Sequence, residues 1–358
     1  LLENRNNTLP LSKNVHVALV GPNADNVYNM LGDYTAPQPE GNVATVLDGI
    51  RSKLPIGQVT YVKGCSIRDT TQNNIAEAVE AARNSDVIVA CVGGSSARDF
   101  KTNYKSTGAA ETDANTVSDM DSGEGFDRAT LSLLGLQDKL LKALKATGKP
   151  LVVVYIEGRP LDKNWASAHA DALLTAYYPG QQGGNAIADV LFGDVNPSGR
   201  LPISVPRSVG QLPVYYNHPL PEPHDYVEMT ARPLYAFGYG KSYTTFEYSR
   251  LTVNAISKDS ISVSFDVTNT GTRDGAEVVQ LYLNDSVASV AQPVKQLRRF
   301  ARVPLTKGQT KHITFTLHAA DLAIINREKQ RTVEPGWFNV MVGAASNDIR
   351  LRGKFQIL

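Results

Sequence analysis

The 358-residue sequence predicts an α/β domain with a mostly parallel sheet, followed by an all-β sandwich. Apolar runs alternate with helical patterns through residues 1–215, which is typical of a layered α/β domain. Prolines crowd residues 216–245, which we interpret as an ordered connector. Over residues 246–358, apolar and polar residues alternate with a period of two. At about 100–200 residues per domain, the chain length also fits two domains.

Four near-continuous apolar runs predict the parallel sheet, because strands covered on both faces read as unbroken apolar segments. They occupy residues 16–21, 86–94, 150–158 and 171–180. Helical spacing appears between them, with one apolar face formed by Ile75, Ala78, Val79 and Ala82. A leucine stripe over 136–144 and a third pattern over 185–192 predict two more helices. The alternation favours βαβ units around one sheet.

The last region carries the pattern of half-buried strands. Apolar side chains alternate with polar ones at Ile261, Val263, Phe265 and Val267. The same alternation returns over 313–317 and 338–342, and Gly or Pro residues punctuate the runs. Several short alternating strands without a helical pattern predict a β-sandwich.

Composition excludes some classes of function. The net charge is +1, with 42% hydrophobic and 20% charged residues. This balance argues against a nucleic-acid or anionic-membrane partner, and it leaves a neutral ligand such as a sugar open. No apolar run approaches the ~18 residues of a membrane span. Leu1 follows neither an initiator Met nor a signal peptide, so we expect it to be a cut point in a longer chain.

Metal and cofactor motifs are missing from the sequence. Cys65 and Cys91 are interpreted as small buried hydrophobic residues, and a disulfide between them is neither required nor excluded. The six histidines show no i, i+4 pair and no companion cysteines. The Gly93-Gly94 pair opens no phosphate-binding motif and is interpreted as a turn. The sequence therefore predicts neither a metal nor a cofactor.

The segment SGEGFDR at 122–128 is the sharpest functional signal. It follows a polar stretch, about 95–120, that carries almost no apolar periodicity, and long loops of this kind are usually functional or disordered. Glycines on both sides of Glu124 let the backbone turn sharply and present the carboxyl group. Such a group suits general acid/base catalysis if burial or a second carboxylate raises its pKa. From the residues alone, a solvated loop carboxylate is the simpler interpretation.

Five segments taken together resemble glycoside hydrolase family 3, in order along essentially the whole chain. They lie at residues 7–24, 32–34, 122–137, 179–202 and 233–246. The fourth reads PGQQGGNAIADVLFGDVNPSGRLP and the fifth PLYAFGYGKSYTTF. Each segment alone is modestly specific, and the combination is highly specific.

The resemblance implies a domain architecture and indicates which domain supplies each catalytic carboxyl group. It implies an (α/β)6 sandwich at 1–215 and a fibronectin type III-like domain at 246–358, preceded in the family by a (β/α)8-type barrel that this sequence lacks. Glu124 matches the catalytic acid/base. The family's nucleophile is a barrel Asp, so no residue here matches it, and we expect this chain alone to be inactive. Asp127 and Arg128 match the motif as residues that hold the loop.

The same resemblance implies the reaction and its partners. It points to a retaining, exo-acting β-glucosidase or β-xylosidase that needs no cofactor or metal. The family's N-acetylglucosaminidases take their acid/base from the barrel, so the loop at 122–128 argues against that subgroup. The implied partners are a β-linked oligosaccharide or glycoside and a barrel in the same or a separate chain, without nucleic acid or membrane. The family's habits favour a periplasmic or secreted protein.

Two alternatives remain at this point. A non-catalytic carbohydrate-binding or interaction module would also use a fibronectin-like domain, and a polar, disordered loop around Glu124 would favour it. A doubly wound nucleotide binder explains the parallel sheet but no motif. An ordered loop around the Glu124 carboxyl group that faces an open apolar patch, where a barrel would dock, favours the glycosidase.

Overall fold

The computed structural model describes residues 1–97, 105–107, 111, 118–125, 127–220, 223–257 and 260–358. Much of the predicted polar loop over 95–120, and Phe126 of the motif, lie outside the described residues. The chain divides into two compact units. The first contains Leu1–Val195 and Arg207–Gly210, and the second contains Asn196–Pro206 and Gln211–Leu358. The domain boundaries at 215 and 245 stay predictions.

A six-stranded sheet forms the centre of the first unit, with the order β1-β6-β5-β4-β2-β3. Its strands are β1 (Glu3–Asn4), β2 (Val17–Val20), β3 (Val59–Val62), β4 (Val87–Gly93), β5 (Leu151–Ile156) and β6 (Ala172–Tyr177). Strands β2 to β6 are parallel, and β1 adds an antiparallel edge to β6. Every residue of β2, β4 and β5 is buried. The prediction of a mostly parallel sheet from unbroken apolar runs is confirmed.

Six α-helices accompany this sheet in the part of the unit that the structure describes. They are α1 (Val27–Leu31), α2 (Val46–Arg51), α3 (Ile75–Arg83), α4 (Gln137–Lys145), α5 (Asn164–His169) and α6 (Gly183–Leu191). The predicted apolar stripes of α3 and α4 face the core, although Val79 is only half-buried. Helix α3 contacts α4, and α2 contacts α6. With this strand order, the usual right-handed crossovers predict α2 on one face of the sheet and α3 and α4 on the other.

Helices α2 and α6 approach each other closely, and two glycines permit this. A Cβ atom on Gly49 would lie 2.1 Å from the Gly184 carbonyl oxygen, and one on Gly184 would lie 1.8 Å from the Thr45 carbonyl oxygen. Real Cβ atoms do not approach backbone atoms this closely. Gly49 on α2 and Gly184 in the first turn of α6 therefore have a packing role.

The second unit is an antiparallel β-sandwich, as predicted. Its elements are β7 (Phe246–Ser257), β8 (Ser260–Asn269), β9 (Gly275–Asp285), β10 (Gln296–Leu305), β11 (Thr310–His318), α7 (Ala319–Leu322), β12 (Ile324–Ile325), β13 (Arg331–Thr332), β14 (Gly336–Ala345) and β15 (Asp348–Ile357). One sheet has the order β10-β9-β14-β15, the second has the order β11-β8-β7, and β12 pairs with β13. The apolar side chains of β8 lie in the core with those of β9 and β14.

A buried carboxylate in this sandwich makes its stability depend on pH. Asp266 on β8 lies opposite His312 on β11, with 2.7 Å between its Oδ1 atom and His312 Nδ1, and it also pairs with Arg250. The contact with His312, followed by Arg250, holds the pKa of Asp266 below its usual range, although desolvation acts in the opposite direction.

A carboxylate whose folded-state pKa is depressed stabilises the fold fully above its unfolded pKa, about 3.9, and loses that effect as the pH falls through the folded value. We therefore expect Asp266→Asn to lower the urea midpoint at pH 6, and we expect the difference from the wild type to shrink below about pH 4. Urea titrations between pH 6 and pH 2.5 measure this. A difference that stays constant down to the lowest pH would contradict the assignment.

The described residues of the two units contain no candidate membrane span. In the described ranges, no helix combines the length and the apolar character that crossing a bilayer requires. Both cysteines are buried and free, in agreement with their interpretation as small apolar residues. Burial raises the pKa of the Cys65 thiol to about 12.

Candidate active site

The candidate site lies in the first unit, at the edge where the parallel strands β2, β4, β5 and β6 end. The chain leaves β2 toward β3 on one side, whereas β4 lies on the other side of β2, so the strand order reverses there. Open α/β sheets bind ligands outside the carboxyl ends of their strands at such a reversal. The segment that carries Glu124 follows β4 and belongs to this edge.

A chain of buried polar groups ties the loops after β2 and β4 together. Ser95 Oγ donates to Asn29 Oδ1 at 2.6 Å, and Asn29 Nδ2 donates to Asn23 Oδ1 at 2.6 Å. Asn23 Nδ2 in turn lies 3.4 Å from the carbonyl oxygens of Gly94 and Ile156. Buried polar groups that are satisfied by one another resist rearrangement. This hydrogen-bond network therefore fixes the loops after β2 and β4 relative to each other.

Glu124 lies on a turn at the same edge of the sheet, and it is exposed. Its backbone N–H donates to Asp33 Oδ2 at 3.2 Å, which ties the turn to the loop after α1. Gly125 has a φ of 91°, a conformation that favours glycine. Within the described part of the chain, no hydrogen bond or ion pair engages the Glu124 carboxylate. The Glu124 side chain is therefore exposed and without a partner among the described residues.

A buried ion pair holds both ends of the Glu124 turn. Arg128 Nη1 lies 2.6 Å from Asp121 Oδ2, and the two side chains are only 4% and 3% exposed. Asp121 also accepts the Ser95 N–H at 3.0 Å and donates its own N–H to the Ser95 carbonyl at 2.7 Å. A Cβ atom on Gly94 would lie 2.6 Å from the Asp121 carboxylate, so glycine there permits the contact. These contacts fit the interpretation of Arg128 as a residue that holds the loop.

A second ion pair contacts the same segment from the loop after β5. Arg159 pairs with Asp127, three residues after Glu124. The Arg128 N–H donates to Asp127 Oδ1 at 2.7 Å. This backbone hydrogen bond, followed by the Arg159 guanidinium, lowers the pKa of Asp127 below its usual range. Asp127 therefore holds the loop as an ionised acceptor at neutral pH.

Tyr178, just after β6, fills the space between two of these loops. A Cβ atom on Gly158 would lie 2.7 Å from the Tyr178 hydroxyl oxygen, and one on Gly32 would lie 2.8 Å from its ring. Burial, which outweighs a hydrogen bond with Ser96, raises the pKa of Tyr178. The segment over 177–184 thus forms the turn from β6 into α6, and it places one aromatic ring at the site.

Sequence reasoning selected Glu124 as the acid/base and Asp127 and Arg128 as residues that hold its loop, and it assigned no role to three further contacts of this segment. Asp33, Asp121 and Arg159 each contact the segment that carries Glu124. Asp33 lies in the loop after α1, which follows β2, and Arg159 lies in the loop after β5. Their positions after parallel strands are a signal that could have identified them as site residues. Three carboxylates beside Glu124, those of Asp33, Asp121 and Asp127, already bond with the loop. The arrangement can exchange a proton through Glu124 with a bound molecule.

Comparisons with known proteins agree with this picture. The model of the glycosyl hydrolase family 3 C-terminal domain matches residues 1–243. The model of the fibronectin type III-like domain matches residues 277–346. A periplasmic beta-glucosidase of Salmonella typhimurium is 39% identical over 393 aligned residues, covering 100% of this chain and 48% of the relative. A beta-xylosidase of Formosa agariphila is 40% identical, covering 97% of this chain and 47% of the relative.

Solved structures show the same relationship. A beta-glucosidase from Erythrobacter marinus superposes with a TM-score of 0.86 at 36% identity, covering 100% of this chain and 49% of that protein. A mutant beta-glucosidase from Listeria innocua in complex with laminaribiose gives a TM-score of 0.85 at 32% identity, covering 99% of this chain and 47% of that protein.

The chain spans about half the length of the curated relatives it matches. The predicted pair of folds, an α/β sandwich followed by a fibronectin type III-like sandwich, is confirmed. Since one family model covers more than half of the sequence, the chain belongs to glycosyl hydrolase family 3.

Proposed function

We propose that this chain is the C-terminal part of a retaining, exo-acting β-glycosidase that hydrolyses terminal β-linked sugars. Glu124 serves as the acid/base, and an Asp on an N-terminal barrel serves as the nucleophile. One observation carries the proposal: the Glu124 carboxyl group is exposed on a turn held by Asp33 and by the buried Asp121–Arg128 pair. These contacts on both sides of Glu124 support a catalytic role over a non-catalytic binding module.

The proposed reaction has two steps, and Glu124 acts in both. In the first, the barrel Asp attacks the anomeric carbon while Glu124 donates a proton to the departing glycosidic oxygen. In the second, Glu124 removes a proton from the water that attacks the glycosyl-enzyme, which releases the sugar and restores both carboxyl groups. The reaction needs no cofactor and no metal. The turn contacts described above keep Glu124 in place between the two steps.

The relatives support the substrate class. A β-glucosidase and a β-xylosidase are 39% and 40% identical to this chain over the aligned residues, so a terminal β-linked glucose or xylose is the proposed substrate. The periplasmic relative in Salmonella typhimurium supports a periplasmic or secreted location.

The test compares this chain alone with the same chain joined to its N-terminal barrel. Aryl β-glucoside and aryl β-xyloside hydrolysis is measured for both forms. We expect turnover only when the barrel is present, because a retaining mechanism needs two carboxyl groups about 5–5.5 Å apart.

Two results would oppose the proposal. Equal turnover by the chain alone would show that the nucleophile lies within it. No turnover by the barrel-carrying form, together with calorimetric binding of β-linked oligosaccharides, would favour the carbohydrate-binding module.

A further inference from the structure

The turn that follows β5 is built around a fully buried ion pair. The side chains of Glu157 and Lys163 are 1% and 0% exposed, and Lys163 Nζ lies 2.6 Å from Glu157 Oε1. Lys163 also donates to the Leu161 carbonyl at 3.1 Å, and Glu157 Oε2 accepts the Leu161 N–H at 3.0 Å. Thr175 on β6 donates to Glu157 Oε1, the same oxygen that Lys163 contacts. The pair therefore satisfies the polar groups inside its own turn and anchors that turn to the sheet.

Arg159 lies within this turn, between the two buried charges. Gly158 before it abuts Tyr178, and Pro160 after it has a fixed φ. The backbone that carries Arg159 is thus restrained from both sides. From this base, the guanidinium group reaches out of the turn and pairs with Asp127.

We propose that Arg159, supported by the buried Glu157–Lys163 pair, is a positioning residue that orders the Glu124 loop through Asp127. The catalytic consequence of this inference rests on the proposed function, because Arg159 belongs to the same site as Glu124. Arg159 touches no reacting atom in this account. It restrains the segment that carries the acid/base.

Loss of Arg159 is expected to affect the Glu124 loop and the rate more than the stability of the fold. The Arg159–Asp127 pair is partly exposed, with side-chain exposures of 31% and 66%, and exposed ion pairs contribute little to stability. Ordering of a catalytic group is far more sensitive, because a misplacement of about 1 Å can cost ~10²-fold in rate. Loss of Arg159 should therefore loosen the loop and spare the fold.

The first test measures hydrogen exchange in this chain alone. We expect Arg159→Ala to speed exchange of the peptide over 118–125 several-fold, with the thermal midpoint and the exchange of α3 unchanged. Arg159→Lys should restore part of the protection, because it keeps the charge. Arg83→Ala, which removes an exposed arginine from α3 and its ion pair with Glu80, is the matched control and should leave 118–125 unchanged.

The second test measures kinetics in the barrel-carrying form. We expect Arg159→Ala to lower kcat on the order of tenfold while KM changes little, and Asp127→Ala to do the same. The double variant should be no slower than either single variant, because residues in one contact are not additive.

The two tests separate the inference from the function that it serves. Unchanged exchange over 118–125 in Arg159→Ala would overturn the positioning role, whether or not the enzyme is active. A wild-type barrel-carrying form without turnover would overturn the proposed function, and the exchange result would still decide whether Arg159 orders the loop. Additive rate losses in the double variant would also contradict action through Asp127.

Discussion

Replacing Glu124 by glutamine in the barrel-carrying form is expected to slow hydrolysis of cellobiose or an alkyl β-glucoside by about 10²- to 10⁴-fold. Glutamine cannot donate a proton to a departing alkoxide, and such poor leaving groups need that proton. The backbone hydrogen bond from position 124 to Asp33 does not involve the side chain, so the turn should keep its shape. The loss would therefore report on chemistry rather than on folding.

The leaving group provides an internal comparison for the same variant. From a dinitrophenyl β-glucoside, dinitrophenolate leaves without protonation, so formation of the glycosyl-enzyme should be nearly normal in Glu124→Gln and this intermediate should accumulate. Added azide, a nucleophile that needs no general base, should restore turnover and yield the β-glycosyl azide. Stopped-flow bursts and product analysis measure both effects.

The matched control is Glu77→Gln, which alters an exposed glutamate on α3 and should leave kcat unchanged. Equal losses on activated and unactivated substrates, without azide rescue, would place the acid/base elsewhere. The membership of the chain in glycosyl hydrolase family 3 would stand in either case.

The fold was predictable where burial leaves a simple pattern. Strands β2, β4 and β5 are buried along their whole length, so their residues read as unbroken apolar runs. Strand β1 has two residues, too few to show any period, and it pairs antiparallel with β6 through a contact that no local pattern encodes. Helix α4 begins at Gln137, one residue after the leucine stripe begins, because helix ends depend on local caps more than on periodicity.

In the candidate site, the sequence marked Glu124 as the acid/base, which stays a proposal, and Asp127 and Arg128 as residues that hold the loop. Glycines beside Glu124 and the polar stretch before it are local signals, and the family resemblance added a role. Its supports come from far along the chain: Asp33 lies 91 residues away from Glu124, and Arg159 belongs to the loop after β5. Such contacts arise from the parallel topology, which brings the strand ends together, and spacing along the sequence does not reveal them.

The buried pair beneath Arg159 leads to the largest expected effect on stability. Lys163→Met should lower the free energy of unfolding by about 3–5 kcal/mol, because it leaves the Glu157 carboxylate buried without its counter-charge. Desolvation lowers the pKa of Lys163, and the charge and hydrogen bond of Glu157 act in the opposite direction. The buried ammonium group is therefore stabilised by the Glu157 carboxylate. Urea denaturation of this chain, followed by circular dichroism, measures the change.

Two further variants distinguish charge from packing in this prediction. Lys13→Met removes an exposed lysine from its pair with Asp194, with side-chain exposures of 53% and 36%, and should cost about 0–1 kcal/mol. Glu157→Gln combined with Lys163→Met removes both charges and keeps an acceptor for the Leu161 N–H, so it should recover most of the loss. A double variant as unstable as Lys163→Met would mean that lost packing, rather than an unpaired charge, destabilises the turn.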